Sequence, residues 1–335
     1  MKILVTGGAG YIGSITVRHL LDSWHQVVVV DNLERGWAQA VDPRTELVVG
    51  NVGDAAVLDR MLPGCDAVLH LAGYIEVAES QTELGKYFRN NVCRPQQLLD
   101  AMVRHGVRNF VFSSTAAAYG EPDSIPISES APARPINAYG ASKHMFEQLL
   151  DWYEQLHGLR TIRFRYFNVA GAWPDGSMGE AHVPETHIVP RILQAMADGQ
   201  GIFEIYGDSY PTPDGTCVRD YIHVLDLALA HRLGLERLVE GGEGGILNLG
   251  SGRGFSNLDV VRTCAAVADR EVEVRMGPPR PGDPAMLVAS NERARAVLGW
   301  SPVRSSLETM VGDAWAWHRA HPHAYGAHPG GGSAG

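Results

Sequence analysis

A doubly wound α/β fold, with one parallel sheet covered by helices on both faces, is the architecture this sequence predicts. Short uninterrupted runs rich in β-branched residues alternate with longer helical patterns through the first half of the chain. Such strands are buried on both faces, which a parallel sheet between two helix layers provides. A glycine turn joins the first run to the first helix, and a carboxylate ends the second run. The 335 residues, 45% hydrophobic and 20% charged, are enough for one large core or two smaller ones.

The elements follow in order. "KILVT" reads as the first strand, residues 11–23 as the first helix, and "QVVVVD", "ELVVG", "AVLHLAG", "NFVFSS" and "LRTIRFRYFN" as the later strands. After about residue 170 the texture changes to Pro- and Gly-rich segments such as "GAWPDGSMGE", "YPTPDGTC" and "GPPRPGDPA". That composition predicts a smaller C-terminal lobe built largely from loops. Helices are expected over 224–239 and 258–268, and "LETMVGDAWAWHRA" puts Leu307, Met310, Val311 and Ala314 on one stripe. The expected division is a main domain over 1–170, to which residues 220–255 return, a lobe over 171–320 and a disordered tail over 325–335.

Charge and composition exclude several classes of function. The net charge of −10, with no basic run, offers no footprint for nucleic acid or an anionic membrane surface. No stretch of about 18 apolar residues occurs, and glycines interrupt the apolar N-terminus, so neither membrane spanning nor export is expected. Cys65, Cys93, Cys217 and Cys264 are far apart with no CxxC pair, which suits a reducing cytoplasm better than a disulfide framework or a zinc site. His321, His323 and His328 sit in a glycine-rich setting without acidic or cysteine partners. No metal site is expected.

"KILVTGGAGYIG" is a strand, a glycine turn and a helix in succession, the context that gives such a motif meaning. Gly7 allows the tight turn, Gly10 lets backbone approach a pyrophosphate, and Gly13 lets helix and strand pack closely. The helix N-terminus supplies N–H donors, so an anion can be held without net basic charge. Asp31 ends the second strand where a carboxylate accepts hydrogen bonds from an adenosine ribose diol and repels a 2′-phosphate. The pattern therefore predicts a Rossmann-type domain that binds NAD rather than NADP. Arg35 could weaken that preference but lies beyond the usual reach.

"AYGASKHMFEQLL" places Tyr139 and Lys143 one turn apart on a helix face. A phenol of pKa about 10 is a poor base at neutral pH unless its anion is stabilised, and a nearby ammonium, with a positive nicotinamide ring, does this. Taken alone, such a pair is more often an ordinary surface contact. The buried strand "FVFSSTAAAYG" changes the balance, because it delivers Thr115 to the carboxyl edge of the sheet, where open α/β sheets bind ligands. Thr115 can hold the same substrate oxygen; capping the following turn is its other role.

These residues resemble the extended short-chain dehydrogenase/reductase family, and within it the sugar-nucleotide 4-epimerases. The likeness runs from residue 1 to about 318 through "TGGAGYIG", "DNLERG", "HLAG", "YFRNNV", "SSTAAAYG", "YGASK", "RYFNVAGA", "YPTPDGTCVRDYIHVLDLA", "LNLGSG" and "RPGD", in the family's order. The glycine motif is generic to nucleotide-binding dehydrogenases, whereas "YPTPDGTCVRDYIHV" and "RYFNVAGA" are specific to the epimerases. The resemblance implies a catalytic set of Thr115, Tyr139 and Lys143. It implies NAD contacts at Tyr11, Ile12, Asp31 and Asn32, at Leu71, Ala72 and Gly73, and at Asn91 and Phe167, besides Tyr139 and Lys143. It places Asn168, His187, Tyr206, Arg219 and Arg280 against a UDP-sugar. An arginine fork suits a diphosphate and an aromatic ring can stack on uracil, although a lone arginine is otherwise most often solvated or ion-paired and His187 a packed histidine.

Three departures from the family pattern stand out. Asn51, with Val52 beside it, occupies a place where an acid is common, so adenine recognition there is expected to rest on a neutral amide. Ile75 stands where many members have a lysine, removing one positive charge near the cofactor. Met286 aligns, across a one-residue gap, with a bulky tyrosine near the sugar, which predicts room for N-acetylated sugars.

The implied reaction is interconversion of UDP-glucose and UDP-galactose at carbon-4 through a 4-keto sugar, with NAD retained. UDP-GlcNAc, UDP-xylose and UDP-glucuronate stay open as substrates. A 4,6-dehydratase is disfavoured, because Thr115 is followed by Ala116 and Ala117 rather than by acids, and a catalytically silent NAD-binding regulator is disfavoured by retention of all three catalytic side chains. A homodimer is the family expectation.

Overall fold

The apolar runs form strands and the amphipathic segments form helices in a computed structural model that describes residues 1–197, 199, 202–280 and 283–326. The strands are β1 (Lys2–Thr6), β2 (Gln26–Asp31), β3 (Glu46–Val49), β4 (Ala67–His70), β5 (Asn109–Thr115), β6 (Arg160–Tyr166) and β7 (Asn168–Ala170). The later ones are β8 (Ile202–Tyr206), β9 (Val218–His223), β10 (Gly245–Leu249), β11 (Gly254–Ser256), β12 (Glu273–Gly277) and β13 (Met286–Leu287). The helices are α1 (Tyr11–Asp22), α2 (Ala55–Met61), α3 (Val77–Thr82), α4 (Leu84–Phe88), α5 (Arg94–His105) and α6 (Ala138–His157). They continue with α7 (Ile188–Ala197), α8 (Val224–Val239), α9 (Asn257–Ala268), α10 (Glu292–Leu298) and α11 (Leu307–Ala320).

Seven parallel strands form the main sheet in the order β10-β6-β5-β4-β1-β2-β3. The order reverses at β1, whose neighbours are β2 and β4, and a crevice therefore opens there at the carboxyl ends of the strands. One face packs Leu4, Val28, Val68, Phe110 and Phe112 against Leu98, Met102, Phe146 and Leu150. The other packs Ile3, Val5, Val29, Leu69 and Val111 against Val17, Leu20, Leu227 and Leu235. Burial on both faces is why these strands carry no polar alternation.

After β6 the chain leaves the sheet. It returns with β10, paired in parallel with β6, after α8 has packed on the same sheet face as α1. A second sheet is centred on β9, which pairs with β7, β11 and β13, and β8 pairs with β12. Met196, Phe203, Val260, Cys264, Met310 and Val311 form a separate core there. The stripe read on the last helix is buried: Leu307, Met310, Val311 and Ala314 all face inward. The tail expected to be disordered lies outside the described residues from 327 onward, as does His328. At its start Tyr325 packs against Trp317, with ring centroids 4.7 Å apart.

Two histidines are buried as neutral rings. His70 stacks on Phe112 and shares a 2.6 Å hydrogen bond with the Thr6 hydroxyl, and burial, aided by the nearby Lys143, pushes it down to about 3. His231 meets the Leu227 carbonyl at 2.8 Å through Nδ1, and burial holds it near about 4. Both titrate near 6.5 when unfolded, so their contribution to stability is complete above that pH. It is lost as the pH falls from about 6.5 towards 3 or 4, each histidine adding up to about 1.4 kcal/mol per pH unit. Urea unfolding from pH 7 to pH 5 should therefore show a shallower loss of stability in His231→Gln than in the wild type; parallel losses would refute this origin of acid lability.

Candidate active site

The crevice at the switch of strand order is a cleft of about 1130 Å³ that runs from the glycine turn to the second sheet. Gly7 has φ +75°, and a side chain there would put Cβ 2.5 Å from the Ala72 nitrogen. A Cβ on Gly13 would fall 2.0 Å from the Gly7 carbonyl oxygen, so the close helix-to-turn packing read from the sequence is enforced sterically. Gly10, the N-cap of α1, meets only the Gly7 oxygen, at 3.5 Å, and no side chain caps the helix. The first N–H groups of α1 are thus presented to the cleft beside a surface only glycine leaves open, a fit for a pyrophosphate.

Asp31 is buried at the cleft wall, with Oδ2 accepting from the Ala9 N–H at 3.0 Å and Oδ1 from the Leu33 N–H at 2.9 Å. These contacts fix the carboxylate and leave lone pairs for a ribose diol. Burial raises its pKa, and the two backbone N–H groups oppose that. The Asn32 amide donates to the Asn51 side-chain oxygen at 3.3 Å, and both residues line the cleft. Arg35 donates to the Val183 carbonyl at 2.7 Å and faces Glu76 and Glu79, rather than Asp31.

Tyr139 projects from the first turn of α6, which Asn137 caps by accepting from the Gly140 N–H at 2.8 Å. Its phenol lies at the cleft together with Thr115, whose hydroxyl is near enough to pull the phenol's pKa down. The Thr115 hydroxyl accepts from the Ala117 N–H at 3.1 Å, so it caps the turn from the cleft side. Lys143 is 2% exposed and does not line the cleft; its ammonium donates to the Ser113 carbonyl at 3.0 Å and would meet a Cβ on Gly73 at 3.0 Å. Asn91 is likewise behind the wall, accepting from the Tyr74 N–H at 3.0 Å and donating to the Ser142 hydroxyl at 3.1 Å.

The electrostatics differ from the sequence expectation. Burial pushes Tyr139 up to about 12; Thr115 pulls it down and Glu76 pushes it further up, while Lys143 contributes no resolved depression. Lys143 donates to the Ser113 carbonyl, and burial takes it down to about 8 against the pull of Glu147. Although burial opposes it, Arg165 and His144 hold Glu147 near about 2, and Arg165 reaches it through a 2.9 Å bond to Oε1 and a 2.5 Å bond to Oε2. The tyrosine and lysine alone therefore do not make a phenolate.

At the other end Asn168, His187, Tyr206, Arg219 and Arg280 line the cleft together, as Phe167 does nearer its middle. Arg219 is paired with Asp283 at 2.7 Å, and the Arg280 guanidinium covers the Tyr206 ring at 4.1 Å. Met286 is not at the cleft. β13 pairs with β9 in the register Met286 to Val218 and Leu287 to Arg219, and it is Leu287 that lines the cavity. A slip of one residue on a strand moves a side chain to the opposite face, which is the error in the gapped alignment.

Residues 3–250 match the NAD dependent epimerase/dehydratase family. The chain belongs to that family. It is 48% identical over 328 residues to a UDP-glucose 4-epimerase of Lacticaseibacillus casei, covering 97% of this chain and 99% of that one. A UDP-glucose 4-epimerase from Brucella ovis, solved in complex with NAD, is 43% identical with a TM-score of 0.91, covering 94% of this chain and 97% of its own. One from Stenotrophomonas maltophila, solved with NAD and formylated UDP-arabinopyranose, is 38% identical with a TM-score of 0.92, covering 96% and 99%.

Within this family fold the sequence reading missed several cleft residues. Glu76 brings a carboxylate to the cleft and to the field of Tyr139 from a segment distant from Thr115, though it already accepts from the Tyr87 hydroxyl. Asp283 was legible only as part of "RPGD". Glu180, His182 and Glu185 join His187 on one loop at the cleft rim, a Glu-x-His-x2-Glu-x-His spacing that a search for ligand patterns would have found.

Proposed function

We propose that this chain interconverts UDP-hexoses by inverting carbon-4, with NAD retained along Gly7, Gly10, Gly13 and Asp31 and with Tyr139 as the proton-transferring group. The observation that carries the reading is the Tyr139 phenol at the cleft beside Thr115, with the Lys143 ammonium close behind Gly73. NAD, when bound, supplies a hydride acceptor that gives back what it takes, and a positive ring charge beside the phenol. Tyr139 removes the proton of the sugar 4-hydroxyl, and Thr115 holds that oxygen on line. The sugar passes through a 4-keto form and regains its proton from the same phenol after presenting its other face.

Arg219 and Arg280 anchor the diphosphate and Tyr206 the base, so affinity resides in the nucleotide while the sugar is free to turn. The Arg219–Asp283 and Arg280–Tyr206 pairings hold both guanidinium groups at the cleft in advance. A leucine at position 287 is smaller than a tyrosine, which leaves room for substituents on the sugar and supports inclusion of UDP-GlcNAc among the substrates. Tyr139→Phe should lower turnover of UDP-galactose by about 10³-fold with nucleotide affinity retained. A coupled assay on UDP-galactose, UDP-GlcNAc, UDP-xylose and UDP-glucuronate measures both this and the substrate range; undiminished turnover in the variant would sink the proposed role.

The protein acts as a homodimer in the cytoplasm on this reading. Met145, Trp152 and Leu156 are exposed on α6 with half-buried Leu149 between them, and Val103 on α5 is exposed as well. The 145, 149, 152, 156 spacing is a seam that a second copy of the same two helices can cover. Free thiols at Cys65, Cys93, Cys217 and Cys264 suit a reducing compartment, and among the described residues no helix is long and apolar enough to cross a membrane. Light scattering should give twice the chain mass for the wild type and the single mass for Trp152→Glu; a monomeric wild type would refute the seam.

A further inference from the structure

We propose that Glu180, His182, Glu185 and His187 form a binding site for a divalent transition cation, zinc by preference, at the rim of the cleft. The inference is independent of the reaction assigned to Tyr139. One ligand atom from each of the four residues lies within 4.8 Å of the other three. The Glu180 Oε1 is 2.7 Å from His187 Nδ1 and 3.1 Å from His182 Nδ1. Glu185 offers Oε1 at 3.3 Å from His187 Nδ1 and Oε2 at 3.6 Å from His182 Nδ1. A tetrahedral ion with bonds of about 2.0–2.1 Å needs its ligand atoms about 3.3–3.4 Å apart, a spacing that four atoms all within 4.8 Å of one another reach by small side-chain shifts.

The ring nitrogens carry the second observation. Both Nδ1 atoms are buried, and although carboxylate oxygens are close, neither makes an aligned hydrogen bond. Two histidines merely ion-paired to two carboxylates would be expected to aim N–H groups along the contact. Here two nitrogens and two carboxylates converge on a shared centre instead. Imidazole with carboxylate is a donor set that suits zinc and its neighbours better than magnesium or calcium, which prefer oxygen alone.

The ligands are also oriented from behind. Glu185 accepts from the Thr186 N–H at 2.8 Å and the His187 N–H at 2.9 Å, which fixes its carboxylate at the start of α7. The Glu180 carbonyl accepts from the Trp317 indole at 3.0 Å, and the Ala181 carbonyl from the Trp37 indole at 2.6 Å. Such support around the ligands is a usual property of metal sites. The ion would staple a loop whose two ends serve different halves of the cleft: His182 packs edge-on to Tyr11 beside the glycine turn, with centroids 6.4 Å apart, and His187 faces the substrate end. Coordination through Nδ1 is compatible with His187 reaching a diphosphate through Nε2.

The test uses the full-length, NAD-loaded chain after dialysis against a chelator. Calorimetric titration with Zn²⁺ should show a single equivalent binding with sub-micromolar affinity and Mg²⁺ no comparable heat; Co²⁺ should give the intense visible bands of a tetrahedral site. The double variant His182→Gln, Glu185→Gln should weaken Zn²⁺ by about 100-fold or more, whereas His321→Gln, His323→Gln should not. Should the first variant fail to fold, the Co²⁺ spectrum of the wild type decides. Zinc affinity no tighter than that of Mg²⁺, weak octahedral Co²⁺ bands, or full affinity in a folded first variant would overturn the proposal.

Discussion

An ammonium buried at the carboxyl edge of a parallel sheet is the constraint around which the site is organised. Lys143 lies close behind the cleft wall, where a Cβ on Gly73 would come 3.0 Å from its Nζ, and its charge is met by the Ser113 carbonyl on β5. Burial disfavours that charge enough to bring the lysine to about 8, and Glu147, one turn further along α6, offsets part of the cost. Glu147 is in turn kept ionised by Arg165 on β6, and it accepts from Ser114 at 2.6 Å. Two strands, β5 and β6, and one helix thus share one electrostatic chain. Removing any member leaves another charge uncompensated in a low-dielectric setting.

The same arrangement explains why the tyrosine is held in reserve. With burial dominant, the Tyr139 phenol sits near 12 and is protonated. A positive charge brought close to it would act in a medium of low polarity, where it is worth more than in water. On the proposed reading, proton transfer would follow occupancy of the glycine-turn site by the oxidised cofactor. That coupling suits a reaction with no net redox change.

Much of this was legible in the sequence, for reasons that are local. The sheet strands follow from uninterrupted β-branched runs, the glycine roles from fixed offsets within one turn, and Asp31 from its place at the end of β2. Tyr139, Thr115 and the substrate-end arginines do converge on one cleft. What escaped depends on three-dimensional detail that no local pattern encodes. A one-residue gap exchanged Met286 for Leu287, because alternate strand residues face opposite ways. The direction of the phenol's pKa follows burial rather than helical spacing. Glu76 approaches Tyr139 from a separate segment, and the Glu180–His187 cluster depends on a loop shaped by two distant tryptophans.

The dependence of proton transfer on the buried cations is tested most directly by titrating the Tyr139 phenol itself. Phenolate absorbance, taken as the difference from Tyr139→Phe, isolates it from the other ten of the 11 tyrosines. Without NAD the phenol should titrate near about 12; with NAD it should fall several units towards neutrality, and in Lys143→Met the fall should be reduced. A phenol that titrates at the same pH with and without NAD, in a protein that still inverts its sugar, would contradict the role assigned to those charges.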